Sequence, residues 1–116
     1  MAENKCVPEF ILFLDPVLQR GFLRGLWRGD GHFSAERFQP RAGFVTVSKT
    51  LLHQTIWLLL RQKIVPSIYK EAAYVKNKVS HQESYRIHIG DMNSLERLAA
   101  ILEAPFIRDS SKRHAV

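Results

Sequence analysis

The sequence predicts an α+β domain of order αββαββα, with a curved antiparallel sheet and its helices on one face. Apolar residues recur at three-to-four spacing in three separate segments, short extended runs come in two pairs between them, and Gly, Pro and Asp punctuate the joins. At 116 residues and 46% hydrophobic content, the chain has the length and material for one ordinary core. Two catalytic domains do not fit in it.

The elements follow in order. Residues 1–14 are a lead-in, after which Asp15 can accept from the first backbone N–H groups of a helix and Pro16 suits its first position. Val17, Leu18, Phe22, Leu23, Leu26 and Trp27 mark that helix through Arg28, with Gly29 and Gly31 read as its stop. His32–Phe38 reads as a strand, Gln39–Gly43 as a turn around Pro40, and Phe44–Ser48 as a second strand. Ser48-Lys49-Thr50 opens an apolar helix that ends near Lys63. Ser67–Tyr74 and Glu83–Ile89 read as a second hairpin joined by a polar connection, Val75–Gln82. Alternation puts Tyr85, Ile87 and Ile89 on one face and Ser84, Arg86 and His88 on the other. Asp91 or Asn93 caps the last helix, which carries Leu95, Leu98, Ile101 and Leu102 and stops at Pro105. The domain therefore spans 15–107, with a short basic tail at 108–116. Trp27 and Trp57 lie in apolar helix stripes and are assigned to the core.

Seventeen Lys and Arg against eleven Asp and Glu give a net charge of +6, which favours a polyanionic partner: nucleic acid or an anionic membrane surface. The longest apolar run, Ile56–Leu60, is far short of the ~20 residues of a membrane helix. No small-residue cleavage site follows Phe10–Leu14, so an intracellular protein, cytoplasmic or organellar and not secreted, is expected. The single Cys6 cannot form an internal disulfide. No two of the five histidines stand at metal-ligand spacing, which argues against a zinc site.

The most informative stretch is Gly21-Phe22-Leu23-Arg24-Gly25-Leu26-Trp27-Arg28-Gly29-Asp30-Gly31. In a helix, Gly21 and Gly25 fall on one face at a cost near 1 kcal/mol each relative to Ala. Two readings account for that cost: tight packing on the domain's own sheet, or close approach of a second backbone. Asp30 is either a turn residue of a Gly-Asp-Gly loop or a carboxylate projecting past the helix end. If two copies of the helix paired through their glycine faces, two Asp30 carboxylates would meet, and carboxylates so clustered suit Mg²⁺. On the other side of the chain's sheet, a wet face carrying Ser84, Arg86, His88 and Tyr69 could meet DNA.

Leu23-Arg24-Gly25-Leu26-Trp27-Arg28-Gly29-Asp30-Gly31 resembles the motif of the LAGLIDADG homing endonucleases, matching it at Leu23, Gly25, Leu26, Asp30 and Gly31. Val47-Ser48-Lys49 with Leu51, the run Leu58-Leu59-Leu60-Arg61, and Ile64 are similar to the segment after that family's first hairpin, and the order of elements agrees. The resemblance covers roughly residues 15–107 and implies the single-motif type, a homodimer on a near-palindromic duplex site. Its two motif helices would pair through Gly21, Arg24, Gly25 and Arg28. It further implies hydrolysis of both strands with Mg²⁺, or another divalent cation such as Mn²⁺, held by the Asp30 carboxylate and the Gly29 carbonyl. Ser48 or Lys49 would position water, and Arg108 or Lys112 would assist with charge.

Arg28 stands where the family motif has its first acid, and Val47 cannot hold a water. These departures leave open an alternative in which the chain binds nucleic acid without cutting, as an RNA maturase or DNA-binding regulator. For DNA contact, Arg37, Arg41, Lys70, Lys76, Lys78 and Arg86 are candidates for phosphates, and His32, Ser34, Glu36, Ser67, Tyr69, Ser84 and His88 for the groove.

Overall fold

The computed structural model describes residues 5–36 and 38–106. A short helix α1 (Glu9–Leu12) precedes the motif helix α2 (Pro16–Asp30); then come β1 (Gly31–Ser34), β2 (Arg41–Thr46) and α3 (Lys49–Arg61). The second half holds β3 (Ser67–Glu71), β4 (Tyr74–Lys76), β5 (Val79–His81), β6 (Ser84–Ile89) and α4 (Met92–Leu102). The four long strands form one antiparallel sheet in the order β1-β2-β6-β3, so the α+β prediction holds. The structure adds α1 and a two-stranded ribbon, β4-β5, to the expected αββαββα order.

The register sorts the sheet into two faces. Gly31, Phe44, Ile87 and Ile68 align across the strands on the helix side, as do Phe33, Ala42 and Ile89. Leu23 and Trp27 of α2, Leu51, Leu58 and Leu59 of α3, and Leu95 and Leu98 of α4 close over them to form the core. His32, Gly43, His88 and Ser67 align on the opposite, outer face, and so do Val45, Arg86 and Tyr69.

Helix α2 runs past Gly29 and ends at Asp30, two residues beyond Arg28, its expected last residue, and β1 begins at the very next residue. A helix-to-strand junction without a loop has little room at its corner. Trp27 fills that room: its indole Nε1–H donates to the His32 carbonyl at 2.9 Å, and a Cβ on Gly31 would lie 2.7 Å from its ring. Gly31 is the residue this corner requires, at ordinary φ, for space rather than for conformational freedom. Asp15 accepts through its backbone carbonyl at the start of α2, not through the expected side chain. Asp91 settles the alternative at α4, its carboxylate accepting from Ser94 N–H at 2.9 Å.

Three expectations give way elsewhere. Residues 41–43 belong to β2 rather than to a turn, because Gly43 makes space for the His32 ring, whose Cε1 would stand 2.4 Å from a Cβ there. The stretch expected to be a polar connection is a hairpin closed by Asn77-Lys78, both with positive φ, the signature of a primed two-residue turn. Trp57 is not core: it is 48% exposed on α3, with the Arg61 guanidinium over its ring at 5.4 Å.

A layer of buried polar contacts ties the helices together. Gln19 is wholly buried, donates to the Ile11 carbonyl and accepts from Arg61 Nε; Gln62 donates to the Pro16 carbonyl and accepts from Arg20 Nε. The lead-in is held as well, through Val7 N–H to Gln54 and the buried Val7 side chain. Leu23→Ala, which empties a fully buried site, is expected to lower unfolding free energy by about 2–5 kcal/mol. Gly31→Ala, which displaces the Trp27 ring, should lower it by about 1–3 kcal/mol. Denaturant titration followed by circular dichroism checks both.

Candidate active site and nucleic-acid face

Asp30 is the last residue of α2, and the carbonyl of Gly29 lies in the same final turn, where no following helical N–H is available to it. The Asp30 carboxylate is partly exposed and pairs with Lys5 Nζ at 3.0 Å. Beside it lies a depression of about 230 Å³ lined by Lys5, Asp30, Val45, Thr46, Val47 and Leu51 with Phe44. The end of β2 therefore borders the same depression as the carboxylate, and its polar residue there is Thr46, which is buried and accepts from Ser48 N–H at 3.0 Å. Sequence reasoning missed Thr46, and it missed Lys5, which reaches the site only because the lead-in folds back: Ser48 Oγ donates to the Lys5 carbonyl.

Ser48 is a correction. It is fully buried and caps α3, its hydroxyl accepting from Leu51 N–H at 3.1 Å while donating to Lys5, so its chemistry belongs to the fold and not to a bound water. Lys49 is exposed on the first turn of α3 and lies close enough to Glu83 to help lower its pKa. The larger cause is Tyr85, whose hydroxyl donates to that carboxylate at 2.6 Å. Arg37, Arg108 and Lys112 lie outside the described residues.

Arg24 and Arg28 also change roles. Arg24 Nε donates to the Ile101 carbonyl at 2.7 Å and Arg28 to the Leu102 carbonyl at 3.0 Å, while Arg24 pairs with Glu103 at 3.1 Å. Two guanidiniums thus satisfy the open carbonyls at the C-terminus of α4, where cations are also favoured by the helix dipole. They serve the chain's own helix packing. Gly21 and Gly25, by contrast, have nothing among the described residues within 4 Å of a Cβ, so the reading in which they pack on the domain's own sheet is overturned. Val17 and Leu18, one turn earlier, are 65% and 60% exposed, which leaves an apolar, backbone-rich stripe open along α2.

The outer face of the sheet collects His32 and Ser34 of β1, Arg41 of β2, Ser84, Arg86 and His88 of β6, and Ser67 and Tyr69 of β3. Tyr69, Lys70, Glu71, Ser84, Arg86 and His88 line a depression of about 430 Å³. Lys70 alternates onto the helix-side face by register and meets Glu83 at 3.5 Å while still bordering this depression. Glu36 lies beyond β1 and pairs with Arg41 at 3.3 Å. Lys76 and Lys78 sit at the tip of the β4-β5 ribbon, and at its base Tyr74 and His81 stack at 4.5 Å. Partial burial, followed by the charges of Arg41, Arg86 and His88, holds the His32 pKa below its ordinary 6.5.

Among the described residues no three His, Cys, Asp or Glu side chains come together where they could hold a metal ion. A LAGLIDADG-like domain matches residues 18–103, most of the chain. The chain belongs to the LAGLIDADG-like family. That family includes homing endonucleases and maturases, binds DNA and is typically dimeric, and its nucleases usually use divalent metals. No curated protein matches the sequence. None of the helices among the described residues is long and apolar enough to cross a membrane.

Because His32 has a lowered pKa in the folded chain, the unfolded chain binds that proton more readily below about pH 6.5. The stability contribution is complete above that pH and declines as pH falls toward the lower folded value. His32→Asn is expected to flatten this acid-side decline, measured as the difference in denaturation midpoint between pH 7.5 and pH 5.5.

Proposed function

We propose that this LAGLIDADG-like chain is a site-specific, homodimeric DNA endonuclease that uses Mg²⁺ or a similar divalent cation on a near-palindromic duplex. The observation carrying the reading is the joint position of Asp30 and the open glycine stripe on one helix. Pairing of two such stripes brings two α2 C-termini together, and with them two Asp30 carboxylates and two Gly29 carbonyls. One carboxylate from each chain with helix-end carbonyls is a hard oxygen donor set, and Mg²⁺ takes one or two carboxylates together with phosphate oxygens. The cation, when bound, lowers the pKa of water and stabilises the leaving oxygen.

The chain's own residues do the rest. The outer sheet face, basic through Arg41 and Arg86, holds the duplex phosphates, while His88, Ser67, Ser84 and Tyr69 project where base edges would lie. Asp30 fixes the reacting phosphate relative to that face, since the Trp27 clasp joins α2 to β1 without a loop. Lys5, which balances the carboxylate in the free chain, is within reach of the phosphate once Asp30 has another cation.

The same Lys5–Asp30 pair favours a second reading, a protein that binds nucleic acid without cutting it, because the pair already neutralises the carboxylate. Cleaved ends selected from a randomised duplex library distinguish the two. Mg²⁺- or Mn²⁺-dependent double-strand cuts are expected, with Asp30→Asn reducing the rate by on the order of 10³-fold. Retention of DNA without cuts in any divalent metal would favour the second reading, and undiminished cutting by Asp30→Asn would exclude Asp30 from the reaction.

Gly25→Leu supplies an independent check on assembly. Among the described residues nothing lies within 4 Å of a Cβ there, so the monomer should keep its fold, whereas the paired helices should separate. Light scattering is expected to show a dimer for the native chain and a monomer for the variant.

A further inference from the structure

On the helix side, away from the outer face of the sheet, α2, α3 and α4 enclose a cleft of about 450 Å³. Its lining includes the cations Arg20, Arg24, Arg61, Lys63 and Arg97, of which Arg24 also pairs with Glu103 at 3.1 Å. A lining so rich in cations favours an anion. Three of the guanidiniums are already oriented: the Nε–H groups of Arg20, Arg24 and Arg61 donate to Gln62, the Ile101 carbonyl and Gln19 at 3.0, 2.7 and 2.9 Å. Guanidiniums fixed in this way lose less rotamer freedom when they bind phosphate.

A second feature narrows the anion. Trp57 is 48% exposed and lies beneath Arg61, one of the cleft cations. An exposed indole beside a basic groove is a stacking platform next to an electrostatic one, the combination that holds unpaired bases with their phosphates. Duplex DNA offers no free base faces to such a platform. A small oligophosphate makes no use of the indole.

We infer that this cleft is a second nucleic-acid site, which takes a single strand with its phosphates along Arg20, Lys63 and Arg97 and a base stacked on Trp57. It is separate from the sheet face and from Asp30, and it stands whether or not the chain cuts DNA. Lys63 has φ 61° and Arg97 donates to its carbonyl at 2.9 Å, so the rim is shaped by a left-handed residue that Asn can replace without strain.

The test uses the full chain with oligo-dT and oligo-rU twelve-mers, read by tryptophan fluorescence. The other tryptophan, Trp27, is buried, so quenching reports Trp57. Both oligonucleotides are expected to quench. Trp57→Ala should weaken their binding, followed by anisotropy of labelled strands, by about tenfold, with Trp57→Phe restoring part of it. Lys63→Asn should reduce the salt slope by about 0.7 and leave the circular dichroism spectrum unchanged. Arg86→Ala on the sheet face should leave the quenching intact. Absence of quenching, its loss in Arg86→Ala, or equal competition by tripolyphosphate would overturn the inference. So would conversion of a dimer to a monomer by Trp57→Ala, which would assign the indole to a protein interface.

Discussion

The contact between Trp27 and the corner at Gly31 sets the geometry on which the remainder depends. A helix and a strand that meet without a loop need a side chain on the inside of the bend that is both large and able to satisfy a backbone group there. Trp27 does both, burying its ring against Phe44 at a centroid distance of 5.7 Å and donating to the His32 carbonyl. Asp30 therefore has a fixed place relative to β1, and through the β1-β2-β6-β3 ladder relative to every residue of the outer face.

The same helix presents three different sides. Its Leu23 and Trp27 side is filled by the core, its Arg24 and Arg28 side is anchored to the last carbonyls of α4, and its Gly21 and Gly25 side is bare. The arginine contacts explain how this chain accommodates a cation where the family motif has an acid. Arg28 is turned sideways onto α4, and the cation beside the Asp30 carboxylate is Lys5, whose side chain is exposed.

Much of this was legible in the sequence because it rests on local periodicity. The three long helices, the alternation of β6 and the place of Asp30 at a helix end all follow from spacing of the type that dictates which residues share a face. The misread positions were those where a distant residue decides. Gly29 looks like a helix stop until Trp27 is known to carry the turn onward to Gly31, and Gly43 looks like a turn residue until His32 is laid over it. Asn77-Lys78 lacks the glycine that usually announces a two-residue hairpin. The glycine stripe left two readings open because spacing gives a face but not what the face meets. Ser48 and Lys5 are coupled across forty-three positions, a contact invisible to any window.

Trp57 is the most consequential of these residues. Its place in an apolar run on α3 is a sound reason to expect burial, since Leu51, Leu52, Leu58 and Leu59 around it are all buried. A helix of thirteen residues lying on a sheet has a narrower buried arc than its apolar content requires, and the surplus emerges on the far side as Trp57 and Leu60. Single exposed apolar residues need no explanation. An exposed indole lying under a guanidinium that itself lines a cation-rich cleft is a different matter, because the cleft supplies the charge that a stacked base would bring its phosphates toward. The two faces of this thin domain, 19 Å along its shortest axis, thus carry separate positive surfaces: one on the polar outer face of the sheet through Arg41 and Arg86, the other concave and aromatic at its rim.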